Sequence, residues 1–135
     1  MRILVVEDDF ISRRLLCRYL DSIGVCDVAI NGHEAVAAVR AALQNEEQYD
    51  LICLDIMMPG KGGQETLEEI RAIEKAHGVT RDKGVKVIIT SALEDPGTMD
   101  KAYSAAADGY LVKPIVKRKF LDALKEVGLQ APIPE

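Results

Sequence analysis

Five short apolar runs, separated by longer stretches with helical spacing, constrain this chain more than any other feature. The runs are residues 3–6, 28–30, 51–54, 85–89 and Gly109–Val112, the second being the weakest. The first, third and fourth are continuously apolar, the pattern of parallel strands covered on both faces. After the first run, Ile11, Leu15, Leu16, Tyr19, Leu20 and Ile23 form one helical face, closed by Gly24. Asn31 with Glu34 three residues on resembles a capping box opening a second helix over Ala35, Val36, Val39 and Leu43. Leu67, Ile70 and Ile73 mark a third helix, with Glu65, Glu68, Glu69 and Arg71 expected to face water. Met99, Ala102, Tyr103 and Ala106 suggest a fourth, and Phe120, Leu121, Leu124 and Val127 a fifth before Gly128. Such alternation predicts an α/β fold, a parallel five-stranded sheet with five helices on its two faces. The polar segment 75–86 reads as a long mobile loop, and residues 131–135 as a frayed tail.

At 135 residues the chain suits one domain, with 48% hydrophobic and 29% charged residues, a globular balance. A net charge of −5 argues against direct binding to nucleic acid, which needs a basic face. No apolar run nears the ~20 residues of a membrane span, and residues 3–6 are too short for a signal-peptide core, so a cytoplasmic protein is expected. Cys17, Cys26 and Cys53 show no CxxC spacing and read as small core hydrophobes in a reducing compartment. His33 and His77 lack metal-ligand spacing.

In a doubly wound sheet, ligands gather at the carboxyl ends of the strands, so the residue after each strand carries the information. Those residues are Glu7, Asp8 and Asp9, then Asp55, then Thr90 and Ser91, then Lys113. Packed carboxylates repel, and a divalent cation resolves the conflict; oxygen-only ligands suit Mg²⁺. Lys113 could offset the remaining charge or neutralise a bound phosphoryl group. Asp55 then becomes a candidate nucleophile for aspartyl-phosphate chemistry.

The strings ILVVEDD, LICLDIMMPG, TSA and YLVKP, in order and each at a strand end, resemble the receiver-domain signature of two-component response regulators. The resemblance covers Arg2 to about Gly128, giving a receiver domain over residues 1–128 and a short tail over 129–135. It implies a flavodoxin-like sheet of strand order 2-1-3-4-5. It also implies that Asp55 is the phosphoacceptor and a metal ligand. Asp8 would bind Mg²⁺ directly, Glu7 through water, and Met57 through its carbonyl oxygen. Ser91 is the switch hydroxyl, preferred to Thr90 by its interval to the lysine; Lys113 contacts the phosphoryl group; Tyr110 is the aromatic switch residue. Lys113–Pro114 is a candidate cis peptide. The implied donor is a histidine kinase or histidine phosphotransfer protein. The implied output is a protein target docking on the surface of residues 97–127, the signal leaving by protein–protein contact. No turnover beyond phosphoryl transfer and self-dephosphorylation is expected.

Blander readings stand beside these. Asp9 reads as a helix cap rather than a site residue. Ser91 alone would be a turn hydroxyl, Tyr110 a half-buried strand aromatic, and Met57 and Met58 fillers. Lys117, Arg118 and Lys119 open the last helix at the surface. Met57 and Leu93, apolar where relatives often carry polar side chains, predict slow hydrolysis of the Asp55 phosphate. Three alternatives remain: a degenerate receiver used as a scaffold, a Mg²⁺-dependent phosphohydrolase, and a nucleotide- or flavin-binding protein. Met57 cannot serve as the phosphohydrolase's general acid, and the EDDFIS turn has no glycine for a phosphate to approach.

Overall fold

The computed structural model describes residues 1–56, 62–92 and 106–129. Five parallel strands, β1 (Arg2–Val6), β2 (Val25–Ala29), β3 (Leu51–Asp55), β4 (Lys86–Ser91) and β5 (Gly109–Val112), form one sheet of order β2-β1-β3-β4-β5. Four α-helices are described: α1 (Phe10–Leu20), α2 (Gly32–Gln44), α3 (Gly63–Ala76) and α4 (Lys117–Glu126). The further helix expected around Met99 and Ala102 lies outside the described residues, as do Met57, Met58 and Leu93.

Strand alternation explains why β1, β3 and β4 carry unbroken apolar sequence. Ile3, Val5, Leu51, Cys53 and Ile88 face one way, packing with Leu16 and Leu20 of α1 and Phe120 and Leu124 of α4. Leu4, Val6, Ile52, Leu54, Val87 and Ile89 face the other, against Val36 and Val39 of α2 and Leu67 and Ile70 of α3. Both faces are therefore dry, and truncating any of these side chains to alanine costs about 2–5 kcal/mol. β2 is an edge strand with Val25, Asp27 and Val28 exposed, which is why its apolar signal was faint. Its register is nevertheless fixed, with Val6 opposite both Ala29 and Leu54.

The caps follow the sequence. Asp9 Oδ2 accepts from the Ser12 N–H at 2.9 Å, making Asp9 the N-cap of α1. Asn31 Oδ1 accepts from the Glu34 N–H at 2.8 Å, and Glu34 Oε1 reaches back to the Ile30 N–H at 2.9 Å. That reach is one residue beyond the usual capping box. Lys117, Arg118 and Lys119 are exposed at the start of α4, and the Lys113–Pro114 peptide is cis.

Three expectations are overturned. Ile11 does not join the buried face of α1; it is 75% exposed in the first turn of the helix, whose buried residues are Leu16 and Leu20. Segment 75–86 is pinned rather than mobile. Helix α3 runs to Ala76 and ends on Gly78, whose positive φ of 76° lets the Val79 N–H return to the Glu74 carbonyl at 2.9 Å. A 3₁₀ turn, Arg81–Lys83, follows, and the Lys83 carbonyl accepts from Gln48 Nε2 at 3.1 Å.

Arg71 supplies the third correction: it does not face water. Its guanidinium donates to Glu74 Oε1 (2.7 Å), the Val85 carbonyl (2.8 Å), the Ala106 carbonyl (2.7 Å from Nη2, 2.9 Å from Nε) and Asp108 Oδ2 (3.2 Å). Glu74 is 3% exposed and also accepts from the Val85 N–H at 2.7 Å. Asp108 accepts from the Val87 N–H (2.9 Å) and from Arg81 (3.1 Å). These bonds fasten α3 to the start of β4 and to the chain entering β5.

Candidate phosphoacceptor and metal site

The carboxyl ends of β1, β3, β4 and β5 meet at one edge, as the order of strands requires. Alternation places Glu7, Asp55 and Lys113 on the α1/α4 face of the sheet, continuing the rows of Val5, Cys53 and Leu111. Glu7 is fully buried and Asp55 is 3% exposed, whereas Asp8 is open to solvent. One carboxylate oxygen from each of the three lies within 4.8 Å of the others. Lys113 Nζ sits 3.0 Å from both oxygens of Glu7 and 3.5 Å from Asp55 Oδ2.

Charge makes this site demanding. Burial pushes Glu7 up to about 7; the Lys113 hydrogen bond opposes that shift, and the Asp55 charge adds to it. Burial pulls the Lys113 ammonium down, but the hydrogen bond to Glu7 and the Asp55 charge outweigh it, so it rises above its ordinary value. With all three acids ionised, a single ammonium leaves two negative charges uncompensated. A divalent cation matches that remainder, and an all-oxygen donor set with one open carboxylate suits Mg²⁺ and its retained waters.

Other bonds hold the edge in shape. Arg13 Nη1 donates to the Glu7 carbonyl at 3.1 Å and the Asp9 N–H to Glu7 Oε1 at 3.3 Å, fixing the β1–α1 turn. The Ile56 N–H reaches the Thr90 carbonyl at 3.2 Å, and the Lys113 N–H reaches the Ser91 carbonyl at 2.6 Å. Ser91 is fully buried at the end of β4. Thr90 Oγ1 is buried as well, without a hydrogen-bond partner among the described residues. Tyr110, opposite Ile89, packs half-buried on the α2/α3 side of the sheet.

The structure thus brings together Glu7, Asp8, Asp55 and Lys113, with Ser91 one strand position past Thr90, the partner of Asp55. Met57 lies outside the described residues. Asp9 stays out of the acidic group, as its capping bond dictates. His33 and His77 are both exposed. The role of Arg13 in bracing Glu7 carried no sequence signal beyond its place in α1.

Comparison with known proteins agrees with this geometry. The chain is 33% identical over 127 residues to the chemotaxis protein CheY of Halobacterium salinarum, covering 93% of this chain and 95% of that one. It is 33% identical over 129 residues to the sensory/regulatory protein RpfC of Xanthomonas campestris, of whose length it spans only 17%. Among solved structures, the receiver domain of the histidine kinase CKI1 from Arabidopsis thaliana, complexed with Mg²⁺ and BeF₃⁻, superposes with a TM-score of 0.82. The two share 26% identity, over 93% of this chain and 88% of that one. No helix among the described residues is long and apolar enough to cross a membrane. The response regulator receiver domain model matches residues 3–125, essentially the whole sheet with its acidic edge, and the chain belongs to that family.

Proposed function

We propose that this receiver takes a phosphoryl group on Asp55, in the presence of Mg²⁺, from a histidine kinase or a histidine phosphotransfer protein. The observation that carries the reading is the Lys113 ammonium, 3.5 Å from Asp55 Oδ2 and 3.0 Å from both Glu7 oxygens, at an acidic group that Asp8 completes. An Asp55 oxygen attacks phosphorus; the bond from phosphorus to the donor nitrogen breaks, and the departing imidazole takes up a proton. Lys113 moves its hydrogen bonds from Glu7 toward the phosphoryl oxygens, stabilising charge on the transferring group. Asp8 and Asp55 directly, Glu7 through water, and the Met57 carbonyl as a further ligand would hold Mg²⁺, which would supply the remaining countercharge. Ser91 then hydrogen-bonds a phosphoryl oxygen and Tyr110 moves inward. The surface over residues 97–127, of which 97–105 lie outside the described residues, shifts toward a state that binds a downstream protein.

The test is intact-protein mass spectrometry after incubation with Mg²⁺ and acetyl phosphate. A gain of one phosphoryl group, lost with a chelator and absent in Asp55→Ala, is expected. Absence of any gain in folded, Mg²⁺-binding protein, with a cognate kinase also failing, would replace this reading with a scaffold role.

A further inference from the structure

The cysteines carry a second chemistry that the acidic edge does not use. Cys53 is sealed in the core and matches its reading as a small hydrophobe. Cys17 and Cys26 do not. They come from different elements, α1 and β2, are each half-buried, and place their sulfurs 3.6 Å apart. We propose that Cys17 and Cys26 are a dithiol–disulfide pair that closes when the protein meets a hydroperoxide.

Three observations support the pairing. The sulfurs need to approach by only about 1.5 Å to reach the ~2.05 Å of a disulfide, a distance that small side-chain rotations supply. Cys17 opens onto a surface groove of about 310 Å³ lined by Arg13, Arg14, Arg18, Asp21 and Val28, wide enough for a small oxidant. Burial, and then the adjoining Cys17 sulfur, push the Cys26 thiol up, as close contact between two sulfurs requires. Because Cys17 is the thiol that lines the groove, it is the first sulfur to react, and Cys26 the one that resolves it.

The chemistry balances with the hydroperoxide as sole oxidant. The Cys17 sulfur attacks the peroxide, forming an S–O bond as the O–O bond breaks. This gives a sulfenic acid and releases one water (an alcohol from an organic hydroperoxide). The Cys26 sulfur then attacks the Cys17 sulfur; the S–S bond forms, the S–O bond breaks, and the Cys26 proton leaves with the hydroxide as water. Two thiols lose two electrons and two protons, and a thiol reductant reverses the change. The bond would tie the middle of α1 to the edge strand while leaving Glu7, Asp8, Asp55 and Lys113 untouched. It would thus stiffen the helix whose first turn follows the acidic pair.

The experiment treats the reduced full chain with hydrogen peroxide, followed by intact mass and non-reducing peptide mapping, with folding checked by far-ultraviolet circular dichroism. Expected are a loss of two hydrogens, a linked peptide pair containing Cys17 and Cys26, and a higher thermal midpoint that dithiothreitol reverses. Cys53→Ser should behave like the wild type, whereas Cys17→Ser and Cys26→Ser should each fail to lose the two hydrogens. The proposal is overturned by oxygen adducts on Cys17 with Cys26 still alkylatable. It is equally overturned by disulfides between copies, by a bridge to Cys53, or by thiols that persist in folded protein under excess peroxide.

Discussion

Replacing Arg71 by methionine should destabilise this protein more than any surface charge change, although the sequence presents Arg71 as one charge in a solvated run. The methionine keeps most of the volume and apolar stem but removes five hydrogen bonds of 2.7 to 3.2 Å. Two carboxylates lose their shared cation. Asp108 keeps Arg81 and the Val87 N–H, whereas Glu74, 3% exposed, keeps only the Val85 N–H among the described residues. Breaking a buried ion pair from one side costs about 3–5 kcal/mol, because a buried charge is left uncompensated. Against a total stability of about 5–15 kcal/mol this is a large fraction. It corresponds to a fall in melting temperature of about 10–20 °C for a domain of this size. Urea unfolding followed by far-ultraviolet circular dichroism measures the loss directly. The double variant Arg71→Met with Glu74→Leu should regain part of it, since no orphaned Glu74 charge remains. A loss under about 1 kcal/mol, or a double variant worse than the sum of the singles, would refute the reasoning.

Three further outcomes are expected. At Gly63 a Cβ would fall 2.6 Å from the Ile56 Cα and 3.1 Å from the Asp55 carbonyl. Gly63→Ala should therefore cost about 1–3 kcal/mol and slow phosphoryl uptake from acetyl phosphate; wild-type urea midpoint and labelling rate would count against this. Tyr49 donates to Asp27 Oδ2 at 2.6 Å, and burial followed by that carboxylate pushes its phenol up to about 12. The raised value means stability fully present below the unfolded phenol's pKa near 10 and lost as pH rises through about 12. Ultraviolet titration should show a late-ionising tyrosine that disappears in Tyr49→Phe. Placing Asn at Met57 and Glu at Leu93 should change the lifetime of the Asp55 phosphate, read from the decay of labelled protein; an unchanged lifetime removes those positions from the hydrolysis path.

The sheet was legible because β1, β3 and β4 are dry on both faces and therefore read as unbroken apolar runs. The edge strand β2, with Val25 and Val28 exposed, has no such signature, and its start was placed three residues late. The meeting of Glu7, Asp8, Asp55 and Lys113 was legible because the parallel topology turns a position in sequence, directly after a strand, into a position in space, whereas the choice of Ser91 over Thr90 rests on the family resemblance alone. Arg71 was not, because its partners Ala106 and Asp108 lie 35 and 37 residues away on the path into another strand. Segment 75–86 was misread for the same reason: its polarity is local, but what holds it, Glu74 under Gly84 and Asp108 under Arg81, is tertiary. The Cys17 and Cys26 sulfurs meet only because α1 folds back over β2, so their spacing in sequence resembles no motif.

The Lys113–Glu7 pair joins positions 106 residues apart, at the ends of β5 and β1 with β3 and β4 between them. During synthesis the acidic edge would exist as sequence long before the Lys113 ammonium emerges. A nascent or truncated chain ending before β5 could form β1 through β4 but would have to bury Glu7 without a counterion, at a cost of several kcal/mol. Such a chain would leave that edge open and hydrated, so the packed form of the acidic edge waits until β5 has been made.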